Sequence, residues 1–528
     1  MAGLFQVFFW LSRDNLVTLN ENSFEKIESL SYSPFEGYDK NLLSSEQIAY
    51  DVNLFENFTN KLRTYGTLEA YKILQSSKDS NLPIDLGLWI GGDLQENNLE
   101  IQRALEILKE YPNRIQSVIV GNEVLLRKEL EPLELYAYID FMKSHTKKPV
   151  TTAETWDIWE KNPQLASHVD FLTIHILPYW EKVPIERYNE FIIEKYSVVE
   201  ELFPNRKIVI GETGWPSHGY NNNKAVPSIK NQAQAIRGFV NLAHEKGWHY
   251  NIIEALDQPW KGYDEGNVGQ YWGIFTTDRA LKFQLAGEVE LNKYWLYQMI
   301  AAIIIGALLT IFGLKNQRVN ISHAFAYAIA AQGMAFGIVM AAIYPFVNYM
   351  NFGMWIMWGM GSFLMIPLVI ITLAKANELF RSSIGVQPSR LVPLDLKSKN
   401  APLVSIHVPA YKEQPHVLAE TLESLSKLTY PNFEVLVIIN NTPEDFYKAP
   451  IKELCEKLGD KFKYLDITCT GFKAGALNKA LEYTDKNAEI VAVIDADYKV
   501  ESPWLVDLVP LFDDPKVAIV QAPQDHRD

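Results

Sequence analysis

Between Trp295 and Ala376 run 82 consecutive residues without one Asp or Glu, in a chain of 528 residues that carries 64 of them elsewhere. The charged residues inside the block are Lys315, Arg318 and Lys375. Three runs, Trp295 to Leu314, His323 to Phe346 and Phe352 to Ala374, contain no Asp, Glu, Lys or Arg at all. Each is about 20 residues or longer, the length an α-helix needs to cross a bilayer core. Three buried helices of a large soluble core are the alternative, but uncharged runs this long are uncommon there. The flanks are acidic, with a net charge of −12 over residues 1–294 and −6 over 377–528. That distribution predicts a membrane block, residues 295–375, joining two soluble regions, and it argues against a nucleic-acid partner.

Charge also suggests an orientation. Lys315 and Arg318 lie between the first two runs, and Lys375, Arg381, Arg390, Lys397 and Lys399 follow the third, whereas residues 347–351 are uncharged. The positive-inside rule then places 315–321 and everything after 375 in the cytoplasm and the first soluble region outside. Export requires an N-terminal signal or anchor, and Ala2 to Leu11 supplies half a span before Arg13 and Asp14. Residues 1–26 are therefore expected to be the remnant of a signal or anchor. The two cysteines, Cys455 and Cys469, both lie in the last region, so no disulfide supports the first.

Eight short apolar runs punctuate the first region: 27–32, 61–64, 84–90, 117–123, 149–154, 171–176, 207–212 and 251–257. Segments between them, such as Leu99 to Glu110 and Asn231 to Lys246, carry apolar residues at helical spacing. Eight strand-helix units predict an α/β fold, a TIM (β/α)8 barrel over residues 27–290; a doubly wound sheet or two small α/β domains are the alternatives. A barrel carries its active site at the C-terminal ends of its strands. Glu123 ends the fourth run and Glu212 the seventh. Across a barrel mouth two such carboxylates converge at about 5 Å, the separation of a retaining glycosidase, in which one protonates the leaving oxygen and the other attacks the anomeric carbon. Tyr32, Trp89, Trp156, Tyr179, Trp215 and Trp260, at or near other strand ends, would offer flat faces to sugar rings.

With Gly121-Asn-Glu123 and Gly211-Glu-Thr-Gly-Trp-Pro-Ser217, supported by Glu254-Ala-Leu-Asp-Gln-Pro-Trp-Lys261 and Trp272-Gly-Ile-Phe275, residues 30–283 resemble glycoside hydrolase family 17, the β-1,3-glucanase-type barrels. The resemblance implies Glu123 as acid/base, Glu212 as nucleophile, Asn122 as partner of the substrate 2-hydroxyl, sugar contact at Asp257, and no cofactor. Gln258 stands where the family often has an acid, which is expected to tune subsite contacts.

After a linker at 376–400, residues 401–528 alternate strand runs at 403–408, 435–439, 462–466, 490–494 and 517–520 with helical stretches, predicting a parallel α/β sheet. Pro409-Ala-Tyr-Lys-Glu413, Asn440-Asn-Thr442 and Asp495-Ala-Asp497 fall at the carboxyl ends, where such sheets bind ligands. Two aspartates flanking one residue suit a divalent cation that bridges a diphosphate. The pattern resembles glycosyltransferase family 2, with a GT-A fold. That resemblance implies binding of UDP-glucose by Pro409, Tyr411, Glu413, Lys473 and Asp495, and of Mg²⁺ or Mn²⁺ by Asp497. Ile439 stands where the second strand often ends in a uracil-binding Asp. Thr-Glu-Asp and Gln-x-x-Arg-Trp motifs do not follow, so the transferase fold is expected to be partial, its N-terminal half.

The order barrel, membrane block, transferase resembles bacterial β-glucan synthases and β-(1,3)-glucosyltransferases. It implies an enzyme of the bacterial inner membrane acting on a β-glucan chain, with the barrel outside and the transferase domain in the cytoplasm. Three other readings stay open: a membrane-tethered glucan hydrolase or transglycosylase with a relic transferase, a UDP-glucose:lipid glucosyltransferase, and a non-catalytic glucan-assembly subunit.

Overall fold

The computed structural model describes residues 2–12, 16–19, 26–315, 317–385 and 401–522. The chain divides into two compact units, Met1–Val386 and Gln387–Asp528.

In the first unit eight parallel strands close a barrel: β1 Leu30–Ser31, β2 Leu62–Arg63, β3 Ile84–Leu88, β4 Ile115–Asn122, β5 Val150–Thr155, β6 Leu172–His175, β7 Ile208–Thr213 and β8 His249–Ile252. Pairing of Ile252 with Leu30 completes the ring, which excludes the doubly wound and two-domain alternatives. Strands covered on both faces are buried along their length rather than alternating between core and solvent, and β3 is buried at every position, Asp85 included. The helices between them are amphipathic and capped. Asp93 accepts from Gln95 and Glu96 at the start of Leu94–Glu110, and Gly247 ends Ile229–Lys246 in the left-handed region. β8 ends earlier than the 251–257 run suggests, because Leu256 bridges Phe275 instead of continuing the barrel ladder.

Trp295–Leu314, Ile321–Val347 and Phe352–Ile384 are helices of 20, 27 and 33 residues, each with an 18-residue stretch of mean hydropathy 2.1, 1.7 and 2.1 respectively. The third runs ten residues past Ala374, so the first part of the expected linker is helical; Lys375 and Glu378 pair at 2.8 Å one turn apart on this extension. Residues 386–400 lie outside the described residues. The N-terminal segment is integrated into this unit. Helix Gly3–Leu11 packs on the first and second apolar helices, with Phe9 4.4 Å from Phe336 and Gln6 Nε2 donating to Gln332 O at 2.7 Å. Strand Leu16–Thr18 then pairs antiparallel with Glu288–Glu290 at the exit of the barrel.

The second unit is a four-stranded parallel sheet of β9 Leu403–Ala410, β10 Phe433–Asn440, β11 Phe462–Ile467 and β12 Ala488–Val493, in the order β11-β10-β9-β12. Helices Pro415–Ser426 and Asp445–Leu458 pack Leu418, Leu422 and Ile451 against one face, and Ala476 and Ala480 of Phe472–Ala480 meet Leu436 and Ile438 on the other. The fifth expected strand does not form. Residues 517–520 pair with no strand edge and Ile519 is 87% exposed, and an apolar run of four residues is held extended only by pairing.

Candidate active site

β4 leads into a tight turn in which Gly121 has φ +82° and Glu123 φ +55°, and the Glu123 N–H is held by Ala153 O at 2.7 Å. The turn is sterically selective: a Cβ on Gly121 would stand 2.5 Å from Val124 Cγ2. β7 presents Glu212, β6 His175 and β2 Arg63. The donor atoms of Glu123, His175 and Glu212 all lie within 4.8 Å of one another. The two carboxylates that the strand ends suggested are thus brought together.

Arg63 is 2% exposed and organises the cluster. Its Nη2 donates to Asn122 Oδ1 at 2.6 Å, its Nη1 donates to Gly211 O, and Nη1 stands 3.5 Å from Glu212 Oε1. Both guanidinium nitrogens lie 3.3 Å from His175 Nε2. A guanidinium only donates, so Nε2 accepts and the imidazole proton sits on Nδ1, which donates to Glu123 Oε1 at 2.8 Å. Gly211 permits this approach, since a Cβ there would come 2.4 Å from Thr173 Cγ2 and 3.2 Å from Arg63 Nη1.

Burial pushes the Glu123 carboxyl up, but the hydrogen bond and field of His175, with the charges of Arg127 and Arg63, outweigh it and hold the group below its ordinary value. Glu212 is 5% exposed and its Oε1 has no hydrogen-bond donor among the described residues. That oxygen faces the Arg63 guanidinium at 3.5 Å and the His175 imidazole at 3.7 Å, and with no donor on it its lone pairs are free. The Glu123, His175 and Glu212 set has donor types a metal could use, but a cation there would meet the Arg63 charge. Nearby, burial pushes Glu254 up to about 7 although Lys261 Nζ donates to its Oε1 at 2.7 Å.

The expected sugar-contacting residues divide. Trp89 is 46% exposed beneath Arg127, and Trp260 is partly buried with Lys40 4.3 Å from its ring centroid. Trp156 is also partly exposed, under Lys195. Tyr32, Tyr179 and Trp215 are instead fully buried: they donate to Asp51 Oδ2, Tyr220 O and Val226 O, and none presents a face to a ligand. Asp257 is 2% exposed and saturated by Lys282 Nζ, Gly273 N and Tyr349 Oη, which leaves no carboxylate oxygen for sugar. Gln258 accepts from Trp260 Nε1 at 2.7 Å and so orients that ring. Arg63 and His175 were missed, although both sit inside the second and sixth apolar runs; a charged or imidazole side chain ending a buried strand was the available signal.

In the second unit the expected residues gather at the carboxyl edge of the sheet. Pro409 lies in β9, exposed Tyr411 and half-buried Glu413 follow it, and Asp495 and exposed Asp497 follow β12. Lys473, in the first turn of Phe472–Ala480, pairs with Asp495. Asp497 and Asp495 fit a hard cation that draws its other ligands from a diphosphate, provided Lys473 turns from Asp495 to the phosphates.

Residues 29–273 match the BtgE/BtgC glycoside hydrolase domain, and residues 405–528 match glycosyl transferase family 2. Over 260 residues the chain is 25% identical to the probable family 17 glucosidase SCW4 of Saccharomyces cerevisiae, covering 48% of this chain and 66% of that protein. It is 29% identical over 276 residues to the putative glucan endo-1,3-beta-glucosidase btgC of Aspergillus niger, covering 45% of this chain and 40% of that one. The chain thus spans less than two thirds of either relative. An active-site mutant of Rhizomucor miehei beta-1,3-glucanosyltransferase in complex with laminaritriose superposes with a TM-score of 0.45 at 25% identity, covering 48% of this chain and 95% of that one. The chain carries a glycoside hydrolase family 17 glucanase-like domain on a closed eight-strand parallel barrel, three apolar helices, and a glycosyltransferase family 2 domain at its C-terminus.

Proposed function

We propose that this chain is a membrane-bound β-glucan glucosyltransferase whose barrel, residues 27–290, is a retaining β-1,3-glucanase or transglycosylase. Glu212 attacks the anomeric carbon while Glu123 protonates the departing oxygen, and Glu123 then deprotonates the incoming water or sugar hydroxyl. The observation that carries this reading is the approach of the two carboxylates within 4.8 Å, close to the about 5–5.5 Å of retaining enzymes and short of inverting ones. Asn122, fixed through Oδ1 by Arg63, keeps its amide N–H groups for the sugar 2-hydroxyl, and Trp89 and Trp260 supply ring faces. The domain at 401–528 binds UDP-glucose with Mg²⁺ or Mn²⁺ at Asp497. The basic flanks of the helices support an inner-membrane topology with the barrel outside and the transferase domain in the cytoplasm.

NMR of the first-formed anomer from a β-1,3-gluco-oligosaccharide tests the barrel, with β product expected. Glu212→Gln should abolish turnover of every substrate, whereas Glu123→Gln should keep the first step on activated aryl glucosides, which need no proton at the leaving oxygen. An α first product, or equal losses across leaving groups, would refute these roles.

A further inference from the structure

The loop joining the second and third apolar helices, residues 348–351, is seated on the barrel. Tyr349 Oη donates to Asp257 Oδ2 at 2.9 Å and accepts from Thr277 N at 3.2 Å. Its backbone N–H donates to Tyr271 Oη, its carbonyl accepts from Tyr38 Oη at 2.6 Å, and its ring stacks on Tyr271 with centroids 5.1 Å apart. Beside it, Asn348 Oδ1 and His218 Nε2 lie 3.0 Å apart.

Every barrel residue in this contact follows the C-terminal end of a strand: Tyr38 follows β1, His218 follows β7, and Asp257, Tyr271 and Thr277 follow β8. That is the end that carries Glu123 and Glu212. The seat is rigid, because Asp257 also holds Lys282 Nζ, which donates to Ser217 Oγ in the loop after β7. The loop touches neither Glu123 nor Glu212 in any of these contacts. Chain direction agrees, since the barrel leads into Trp295, the first apolar helix runs away, and the second returns to residue 348.

We propose that Tyr349 and its loop dock the barrel by its catalytic rim onto the membrane helices, so that the glycosidase mouth opens at the bilayer surface and works on a β-glucan anchored in that bilayer. The substrate part rests on the glucan-active reading above; the docking does not. Holding the mouth beside the anchor raises the local concentration of tethered chains without changing affinity for free ones.

The test uses the full chain in liposomes. His218 and Asn348 meet through the ends of their side chains, so a His218→Cys/Asn348→Cys pair should be joined by a short bis-methanethiosulfonate cross-linker rather than by a direct disulfide, seen as a reduction-sensitive change in gel mobility, and failure of the cross-link overturns the docking. Turnover is then compared on a soluble β-1,3-gluco-oligosaccharide and on the same oligosaccharide linked to a phospholipid in the bilayer. Tyr349→Ala should lower the rate on the lipid-linked substrate about tenfold and leave the soluble rate within about twofold, with Tyr349→Phe, which keeps the stacking, in between. Equal effects on both substrates, or none on either, overturn the anchored-substrate inference. If the native chain turns over neither glucan above the Glu212→Gln background, the glucan-active reading falls with it, and the cross-link alone decides the docking.

Discussion

As the proposed acid, Glu123 would donate a proton from an environment that favours its charged form. Burial raises its carboxyl, but the His175 Nδ1–H bond at 2.8 Å and the surrounding positive charge hold it below the ordinary 4.5. Only the protonated fraction serves as acid, and that fraction shrinks as pH rises through a lowered value. For oligosaccharides with poor leaving groups kcat/KM should therefore fall on its alkaline side at unusually low pH, giving an acidic optimum. His175→Ala removes the main lowering partner and leaves burial as the largest influence, so this limb should move to higher pH. Aryl glucosides with good leaving groups should show no such shift. An alkaline limb that stays put in His175→Ala would mean that another group sets it. These two glutamates were legible because Asn-Glu and Gly-Glu-Thr-Gly-Trp-Pro-Ser end apolar runs. Tyr32, Tyr179 and Trp215 were misplaced for a related reason: a strand end fixes height in the barrel, but not whether the side chain turns to the mouth or into the packed layer between strand and helix.

At the scale of elements, composition located the three long apolar helices, and packing settled their details. The first two pack through small residues: Gly306 lies against Gln332, and a Cβ there would stand 2.5 Å from the Gln332 side chain. Gln332 in turn accepts from Gln6 through its carbonyl and donates to Ile303 O. Gly306→Val should displace the end of the Gln332 side chain and break its hydrogen bond to Ile303 O, at a cost of about 0.5–1.5 kcal/mol, read as a lower thermal aggregation midpoint in detergent. Gly337→Val, where nothing stands within 4 Å of the added carbon, should leave the midpoint unchanged. Equal behaviour of the two variants would contradict this packing. The end of the third helix escaped sequence reading because the bilayer criterion sees charge as a boundary, whereas Lys375 and Glu378 continue the helix as a surface pair. The Leu16–Thr18 strand was equally hidden, since its partner lies 270 residues away in sequence and nothing local announces it.

The whole molecule has two units, each with its own core: the barrel is built around Leu30, Ile84 and Ile210, and the transferase sheet around Val404, Val437 and Leu422. Each keeps its candidate chemistry at the carboxyl ends of its parallel strands. Energetic coupling between sites needs a shared element with two arrangements, and the residues proposed for each site belong to one core only. Their disruption should therefore be separable. UDP titrated into the full chain in detergent with Mn²⁺ should bind, and Asp497→Ala should remove the metal dependence. Lys473→Ala should weaken binding with metal present, because Lys473 is the cation that pairs with Asp495 and is proposed to turn to the diphosphate. Glu212→Gln should leave UDP binding intact, and Asp497→Ala should leave turnover of soluble β-1,3-glucan intact. Loss of UDP binding in Glu212→Gln would show that the two units share a conformational equilibrium; UDP binding indifferent to metal and to Asp497→Ala would move the nucleotide site away from the end of β12.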